Sequence, residues 1–264
     1  MKLIDKILTK IEKSRPIILN ATYVEKSCEF ENKTAIVFGG GSGIGLAIAN
    51  ELRANGARVI VCGRRSYNYD GIDSEVIDVS KIEQLNDELQ NIIKKYERVD
   101  FIINSQGILT QIDYDGDFYS VDIKDFEEVM RTNLESVFFI NQFFCKYFDL
   151  NGIKGKIVNV CSTTGLKGNI VPYGLSKAAL VSLTMGLGKK MIDKGIVVSG
   201  IAPGATATKM MGMDSSINLR RDYIPSQRAN TPLEVARLAH FLCSDAGNQM
   251  CGQIITIDGG ESLH

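Results

Sequence analysis

Tyr173 and Lys177 stand four residues apart in Tyr173-Gly174-Leu175-Ser176-Lys177, and on a helix that spacing puts both on one face. The pairing suits proton transfer. A free phenol titrates at about pH 10 and is a poor proton carrier at neutral pH. An ammonium about 4–5 Å away, at an effective dielectric constant of about 20, favours the phenolate by about 3–4 kcal/mol. That lowers the phenol by about two pH units, toward the range in which a general acid/base works. A second constellation, Phe38-Gly39-Gly40-Gly41-Ser42-Gly43-Ile44-Gly45, suits an anion. Glycines let the backbone turn sharply and approach a pyrophosphate, and a helix beginning near Ile44 offers free N–H groups and partial positive charge. Gly39, Gly41, Ser42, Gly43, Ile44 and Gly45 are the expected contacts. By itself the same stretch also reads as a flexible strand-to-helix connection.

The next strand ends Val61-Cys62-Gly63-Arg64-Arg65. A site for NAD normally carries an Asp or Glu there, accepting hydrogen bonds from the ribose hydroxyls, and here the position is Gly63. With no carboxylate to repel a 2′-phosphate and with Arg64 and Arg65 to clamp one, the chemistry favours NADPH over NADH. As solvated surface charges the two arginines would carry no such meaning. Asp78, next to Val79 after the third strand, either accepts a bond from the adenine amino group or caps a helix starting near Ser80 or Lys81.

These residues need a scaffold, and short β-branched runs alternating with helical patterns supply it from residue 34 onward. Candidate strands are Thr34–Phe38, Arg58–Cys62, Ser74–Ile77, Phe101–Asn104, Lys156–Cys161, Val197–Ile201 and Gln253–Ile257, too apolar for a sheet with a wet face. Apolar residues at three- and four-residue spacing predict helices in Ile44–Asn55, Lys81–Tyr96, Ile123–Phe148, Tyr173–Lys194 and Pro232–Cys243. The expected fold is α/β, a single-domain Rossmann-type doubly wound parallel sheet with helices on both faces, over residues 33–264. Residues 1–32 form an N-terminal extension. Its Leu3, Ile4, Ile7, Leu8 and Ile11 oppose Lys2, Lys6, Lys10 and Lys13, as on a short amphipathic helix that packs on the domain, on a neighbouring subunit or on a membrane surface.

Composition excludes several alternatives. The 264 residues are 44% hydrophobic, with 30 Lys and Arg against 31 Asp and Glu, so no basic field exists to hold nucleic acid. No apolar run nears the length of a membrane span. The six cysteines, Cys28, Cys62, Cys145, Cys161, Cys243 and Cys251, lie on apolar segments without a C-x-x-C pair, as buried reduced thiols of a cytoplasmic protein would. No metal site is expected. With His240 and His264 as the only histidines, a Ser/His/Asp hydrolase has almost nothing to be built from.

Further pieces stand in order with the glycine turn and the Tyr-Lys pair: Asn104-Ser105-Gln106-Gly107, Arg131-Thr132-Asn133-Leu134, Cys161-Ser162-Thr163-Thr164-Gly165, Pro203-Gly204-Ala205-Thr206-Ala207-Thr208 and Gly252-Gln253-Ile254-Ile255-Thr256-Ile257-Asp258-Gly259-Gly260. Over about residues 33–260 the chain resembles the short-chain dehydrogenase/reductase family in its roughly 250-residue form. It is similar to the 3-oxoacyl-carrier-protein reductases, hydroxysteroid dehydrogenases and sugar dehydrogenases within it. The resemblance implies hydride transfer between NADP(H) and a small carbonyl or secondary-alcohol substrate. Tyr173 would be the acid/base, and Lys177 would lower its pKa and hold the ribose. Ser162 would donate to the reacting oxygen, and Asn133 would kink its helix and bind a water that completes a proton relay. The same resemblance puts Asn104 and Gly107 under the adenosine ribose. Pro203, Gly204, Thr206 and Thr208 join the cofactor site, and Ile201, Thr206 and Thr208 would contact the nicotinamide amide and the diphosphate. It also implies a homotetramer or homodimer built on two long helices and the C-terminal strand region, with Val137–Phe148 a consistent apolar stretch.

The pattern is broken in three places. Phe38 stands where the family usually has a Thr that ties the glycine loop down. Gln106 replaces the usual Ala and adds a polar group near cofactor or substrate. The interval from Ser162 to Tyr173 is about two residues short, which asks for a tight Gly165–Pro172 loop. Specificity would lie in Leu109–Ser120, Gly165–Pro172 and Ala205–Asn230, where Met210, Met211 and Met213 suit an apolar lid or plain packing. Arg220 and Arg221 suit an anionic substrate group or a solvated turn. Two rival readings are a nucleotide-sugar epimerase or dehydratase, whose C-terminal substrate domain is missing, and a catalytically silent NAD(P)-sensing regulator, which would have a damaged catalytic set.

Overall fold

Alternation along β1 (Thr34–Phe38) sets the layering: Ala35 and Val37 pack on one side of the sheet, Ile36 and Phe38 on the other, and all five residues are buried. Such a strand must be covered on both faces. The structure is a computed structural model and describes residues 16–18, 28–110, 117–213 and 218–263. With β2 (Arg58–Gly63), β3 (Asp73–Val76), β4 (Phe101–Asn104), β5 (Lys156–Val160), β6 (Val197–Pro203) and β7 (Ile254–Ile257), β1 forms one seven-stranded sheet of order β3-β2-β1-β4-β5-β6-β7. Every pairing is parallel. The chain reverses its direction of growth between β1 and β4, the place where an open α/β sheet forms a crevice at the carboxyl ends of its strands. This is the Rossmann-type class expected from the sequence.

On one face α1 (Gly43–Ala54) and α6 (Pro232–Cys243) lay Ile48, Leu52, Ala236 and Ala239 over Val37, Val61 and Ile103. On the other, α2 (Ile82–Tyr96) and α4 (Ser136–Leu150) lay Leu85, Leu89, Phe144 and Phe148 over Ile36, Ile60 and Ile102. Leu187 and Met191 of α5 (Pro172–Met191) extend that second layer.

Most element ends agree with the sequence reading to within one residue, and three differ by more. The single helix expected over Ile123–Phe148 is α3 (Ile123–Met130), a π-helical turn at Arg131–Glu135, and then α4. The turn centres on Asn133, whose side-chain amide exchanges two hydrogen bonds with the Ile108 main chain, and bulges of this kind are frequent at functional sites. Helix α5 stops three residues before Lys194 in a 3₁₀ turn, because Gly195 takes φ 74° and closes the helix end. Strand β6 runs past Ile201 to Pro203, carrying the backbone further toward the crevice.

The amphipathic helix read into Leu3–Ile11 lies outside the described residues. Nearer the domain, Phe30 is buried between the rings of Phe101 and His240, both with centroids 5.1 Å away. Its N–H donates to the Asn55 carbonyl at 2.9 Å. Asp100 gathers Lys33 Nζ, Arg98 Nη2 and the Thr34 N–H at 3.4, 2.8 and 3.1 Å. Further back, Ile17 donates to Asn218 Oδ1 at 3.2 Å and accepts from the Leu219 N–H at 3.0 Å. Among the described residues no helix is long and apolar enough to cross a membrane, and no group of three His, Cys, Asp or Glu could hold a metal. All six cysteines are free thiols, and Cys28 is exposed where burial was expected.

Candidate active site

A cleft of about 540 Å³ opens at the carboxyl ends of the strands, across the β1–β4 reversal. Its floor at one end is the loop between β1 and α1, where Gly39 and Gly43 take φ of 72° and 53°. A Cβ on Gly45 would fall 2.3 Å from the Gly39 carbonyl oxygen, so only glycine allows helix and strand to approach this closely. Ser42 is the N-cap of α1, yet its side chain makes no capping bond. The first-turn N–H groups therefore face the cleft without a side-chain acceptor, the donor set an anionic diphosphate needs. Phe38 points away from the loop into the core, 6.4 Å from the Phe144 ring. The tie expected from a Thr comes instead from the Tyr69 hydroxyl, which donates to the Gly41 carbonyl at 2.9 Å, and from the Gly39 N–H donating to Cys62 O at 3.0 Å.

Gly39, Gly41, Ser42, Gly43, Ile44, Gly45, Arg64, Asp78, Val79, Gly107, Ser162, Tyr173, Lys177, Pro203, Gly204, Thr206 and Thr208 all line this one cleft, although they come from separate stretches of chain. Four expected residues do not line it. Arg65 lies over the Tyr67 ring instead, 5.5 Å from its centroid. Ile201 is buried in the sheet core. Asn104 is a strut beneath the floor: its Nδ2 donates to Asn141 Oδ1 and Asn159 Oδ1 at 2.7 and 2.8 Å, and Asn159 Nδ2 donates onward to Thr184 Oγ1 at 2.9 Å. This chain of amides stitches β4, α4, β5 and α5 together, which is why Asn104 is turned inward. Asn133 is likewise buried, one layer behind the surface. Of the two roles open to Asp78, helix capping is not the one seen. Its Oδ1 accepts from the Ser80 N–H and hydroxyl at 3.2 and 2.7 Å, and α2 begins after Lys81 without a side-chain cap.

At the other end of the cleft Tyr173 and Lys177 share a face of α5, with Lys177 Nζ 5.7 Å from the phenol ring centroid. Lys177 Nζ donates to Val160 O at 2.8 Å. Burial pushes its pKa down to about 8, and the Cys161 thiol behind it offsets part of that shift. Burial in turn pushes the Cys161 thiol up to about 11. Ser162 accepts from the Thr164 N–H and Thr164 Oγ1 at 3.2 and 2.8 Å. It is thus a turn residue, capping the 3₁₀ turn Thr163–Leu166, and its own proton stays directed elsewhere. That turn absorbs the short interval before Tyr173: a Cβ on Gly165 would fall 2.6 Å from the Lys177 carbonyl carbon, and Asn169 packs directly on Gly174. Asn133 Oδ1 accepts from the Ile108 N–H at 2.8 Å, and its Nδ2 donates to Ile108 O and Ser176 Oγ at 3.0 and 3.3 Å. At most one Oδ1 lone pair is left for a water.

Gln106 Nε2 donates to Ser136 Oγ at 3.2 Å, while its Oε1 is buried without a partner among the described residues. Lys167, Lys209 and Tyr223 of the expected specificity loops and Thr132 of the Asn133 motif also line the cleft, and so do Tyr67, Glu128 and Glu261, which belong to none of the motifs or loops singled out in the sequence. Tyr67 alone left a signal, an aromatic four residues beyond Gly63.

Residues 33–216 match the family model described as short chain dehydrogenase. The chain is 30% identical over 246 residues to the 3-oxoacyl-(acyl-carrier-protein) reductase FabG of Chlamydia trachomatis, covering 87% of this chain and 97% of that protein. The solved structure of ElxO with NADP bound superposes with a TM-score of 0.77 at 29% identity, covering 88% of this chain and 99% of the other. A 3-ketoacyl-(acyl-carrier-protein) reductase from Brucella melitensis complexed with NADH superposes with a TM-score of 0.78 at 26% identity, covering 89% and 100%.

Proposed function

Because this chain belongs to the short chain dehydrogenase family and is an NAD(P)-dependent oxidoreductase of carbonyl and alcohol groups, we propose that it reduces a small ketone or oxidises a secondary alcohol with NADP(H), using Tyr173 as general acid/base. The observation that carries this is the cleft itself, which holds a buried lysine beside a tyrosine at one end and an uncapped glycine-rich helix N-terminus at the other. Bound nicotinamide supplies or accepts the hydride at the substrate's carbonyl carbon. The first turn of α1 receives the diphosphate, Gly107 and Lys177 the riboses, and Thr206 and Thr208 the nicotinamide end. Arg64, with no carboxylate at Gly63, favours the 2′-phosphate.

In the reduction direction the Tyr173 hydroxyl gives its proton to the substrate oxygen, and in oxidation the phenolate takes it back. Lys177, with a pKa of about 8, is mostly charged at pH 7 and stabilises that phenolate. The Ser162 proton, left over after its two accepted bonds, completes a two-donor site for the oxygen as charge develops there. Asn133 positions: it fixes Ile108 and Ser176, and through them the strand end and helix that carry Gly107 and Tyr173. All four groups are intact, against the silent-regulator reading.

A homo-oligomer is part of the proposal. Phe138 and Phe139 on α4 and Leu175 and Met185 on α5 are apolar yet more than a third exposed, and β7 is a half-buried edge. Six free thiols suit a cytoplasmic setting. The test is NADPH oxidation against 3-oxoacyl thioesters, ketosteroids and keto-sugars, with Tyr173→Phe as control. Turnover in the unmodified chain that disappears in Tyr173→Phe is expected, and turnover that survives the change overturns the assignment. Light scattering after size exclusion checks the assembly, and a monomer overturns that part.

A further inference from the structure

Tyr67 fills the space that a side chain at the end of β2 would otherwise use to read the cofactor. A Cβ on Gly63 would fall 2.8 Å from the Tyr67 hydroxyl, and one on Gly41 would fall 1.9 Å from ring carbon Cζ. The ring therefore bridges the glycine loop and β2, lying on two residues that lack side chains. It is held there from several directions. Its main-chain N–H donates to Ser74 Oγ of β3 at 3.0 Å. The Tyr69 ring stacks on it, with centroids 5.9 Å apart and planes 9° from parallel, and the Tyr69 hydroxyl is itself anchored to Gly41 O. Arg65 lies over the ring, which explains why this arginine does not line the cleft while Arg64 does. Among the described residues the Tyr67 hydroxyl makes no hydrogen bond.

We propose that Tyr67 determines cofactor specificity: its hydroxyl donates to the 2′-phosphate of NADP(H), beside the Arg64 guanidinium, from the place where an NAD site holds its carboxylate. The inference rests on the NADP(H) reading above. A carboxylate accepts from a ribose hydroxyl and repels a phosphate, whereas a phenol is neutral and donates. A bond to a charged acceptor is stronger than one to a neutral hydroxyl, so the hydroxyl discriminates in favour of the phosphate. Arg65 and Tyr69 act indirectly, by fixing the ring.

Calorimetric binding of adenosine 2′,5′-bisphosphate and adenosine 5′-monophosphate, and of NADPH and NADH, to the full chain tests this. In Tyr67→Phe the two 2′-phosphorylated ligands are expected to bind roughly tenfold more weakly, with the other two within about twofold of the unmodified protein. Gly63→Ala, whose methyl displaces the hydroxyl, should reproduce that pattern, and Arg64→Ala should weaken the same two ligands. If the unmodified chain prefers NADPH and Tyr67→Phe keeps the full preference, the Tyr67 proposal is overturned and the NADP(H) reading stands. An equal loss for all four ligands marks a packing role and also overturns it. If the unmodified chain binds NADH more tightly, the NADP(H) reading itself fails and this inference falls with it.

Discussion

Lys177 Nζ donates to the Val160 carbonyl at 2.8 Å, so the ammonium on which Tyr173 depends is pinned to the end of β5, and the residue as a whole is 4% exposed. Burial holds its pKa at about 8, against about 10.4 for a free lysine. Below pH 8 both folded and unfolded chains hold the proton, and burying the charge costs about 3 kcal/mol. Between about pH 8 and 10.4 the unfolded chain binds a proton that the native state has lost, so stability rises with pH across that window. Lys177→Met removes the cost but leaves Val160 O without its donor, worth about 1 kcal/mol. The variant should be about 2 kcal/mol more stable than the parent at pH 7, with the gap closing by about pH 10, while turnover is lost. Urea unfolding at both pH values reads this, and a less stable variant at pH 7 would refute it.

Asn133 is fully buried and makes three hydrogen bonds, two of them to the Ile108 main chain. Asn133→Ala leaves the partly buried Ile108 N–H and carbonyl without their partners and opens a small void, for an expected loss of about 2–4 kcal/mol. Loosening Ile108 also loosens Gly107, so NADPH affinity should fall together with turnover. Unchanged stability would mean that the π-helical turn does not depend on this amide.

Phe30 sits near the start of β4, at the end of the sheet away from the cleft, between Phe101 and His240. Phe30→Ala should cost about 3–5 kcal/mol of stability and leave kcat and KM unchanged at a temperature where the variant is folded. A fall in kcat without a fall in stability would give this segment a part in the chemistry.

How legible all this was in the sequence depended on how local the cause was. Ile36 and Phe38 on one face and Val37 on the other announce a strand buried on both sides, because alternation needs only neighbouring residues. The glycine loop and the Tyr173–Lys177 pair were legible for the same reason, since a turn or a single helical repeat contains them. Asn104 was misplaced because its partners, Asn141 and Asn159, come from two other elements. The depressed pKa of Lys177 arises from burial beneath β5 and could not be read from its spacing to Tyr173. The part Tyr67 plays is not visible in the sequence, because it lies in what Gly41 and Gly63 lack.

The tight loop before Tyr173 makes two glycines three residues apart behave oppositely. At Gly165 a methyl would press on the Lys177 carbonyl carbon from 2.6 Å, and rigid helix backbone cannot give way as a side chain can. Gly165→Ala should cost about 1–3 kcal/mol and push the Ser162 turn off α5, lowering kcat much more than it weakens NADPH binding. At Gly168 no atom lies within 4 Å of the added methyl and φ is not positive. Gly168→Ala should therefore be neutral or stabilise by up to about 1 kcal/mol, through the unfolded chain's lost freedom. Thermal unfolding and steady-state kinetics on the pair decide the matter. Equal effects at the two positions would show that loop length, rather than contact with α5, sets the position of Ser162.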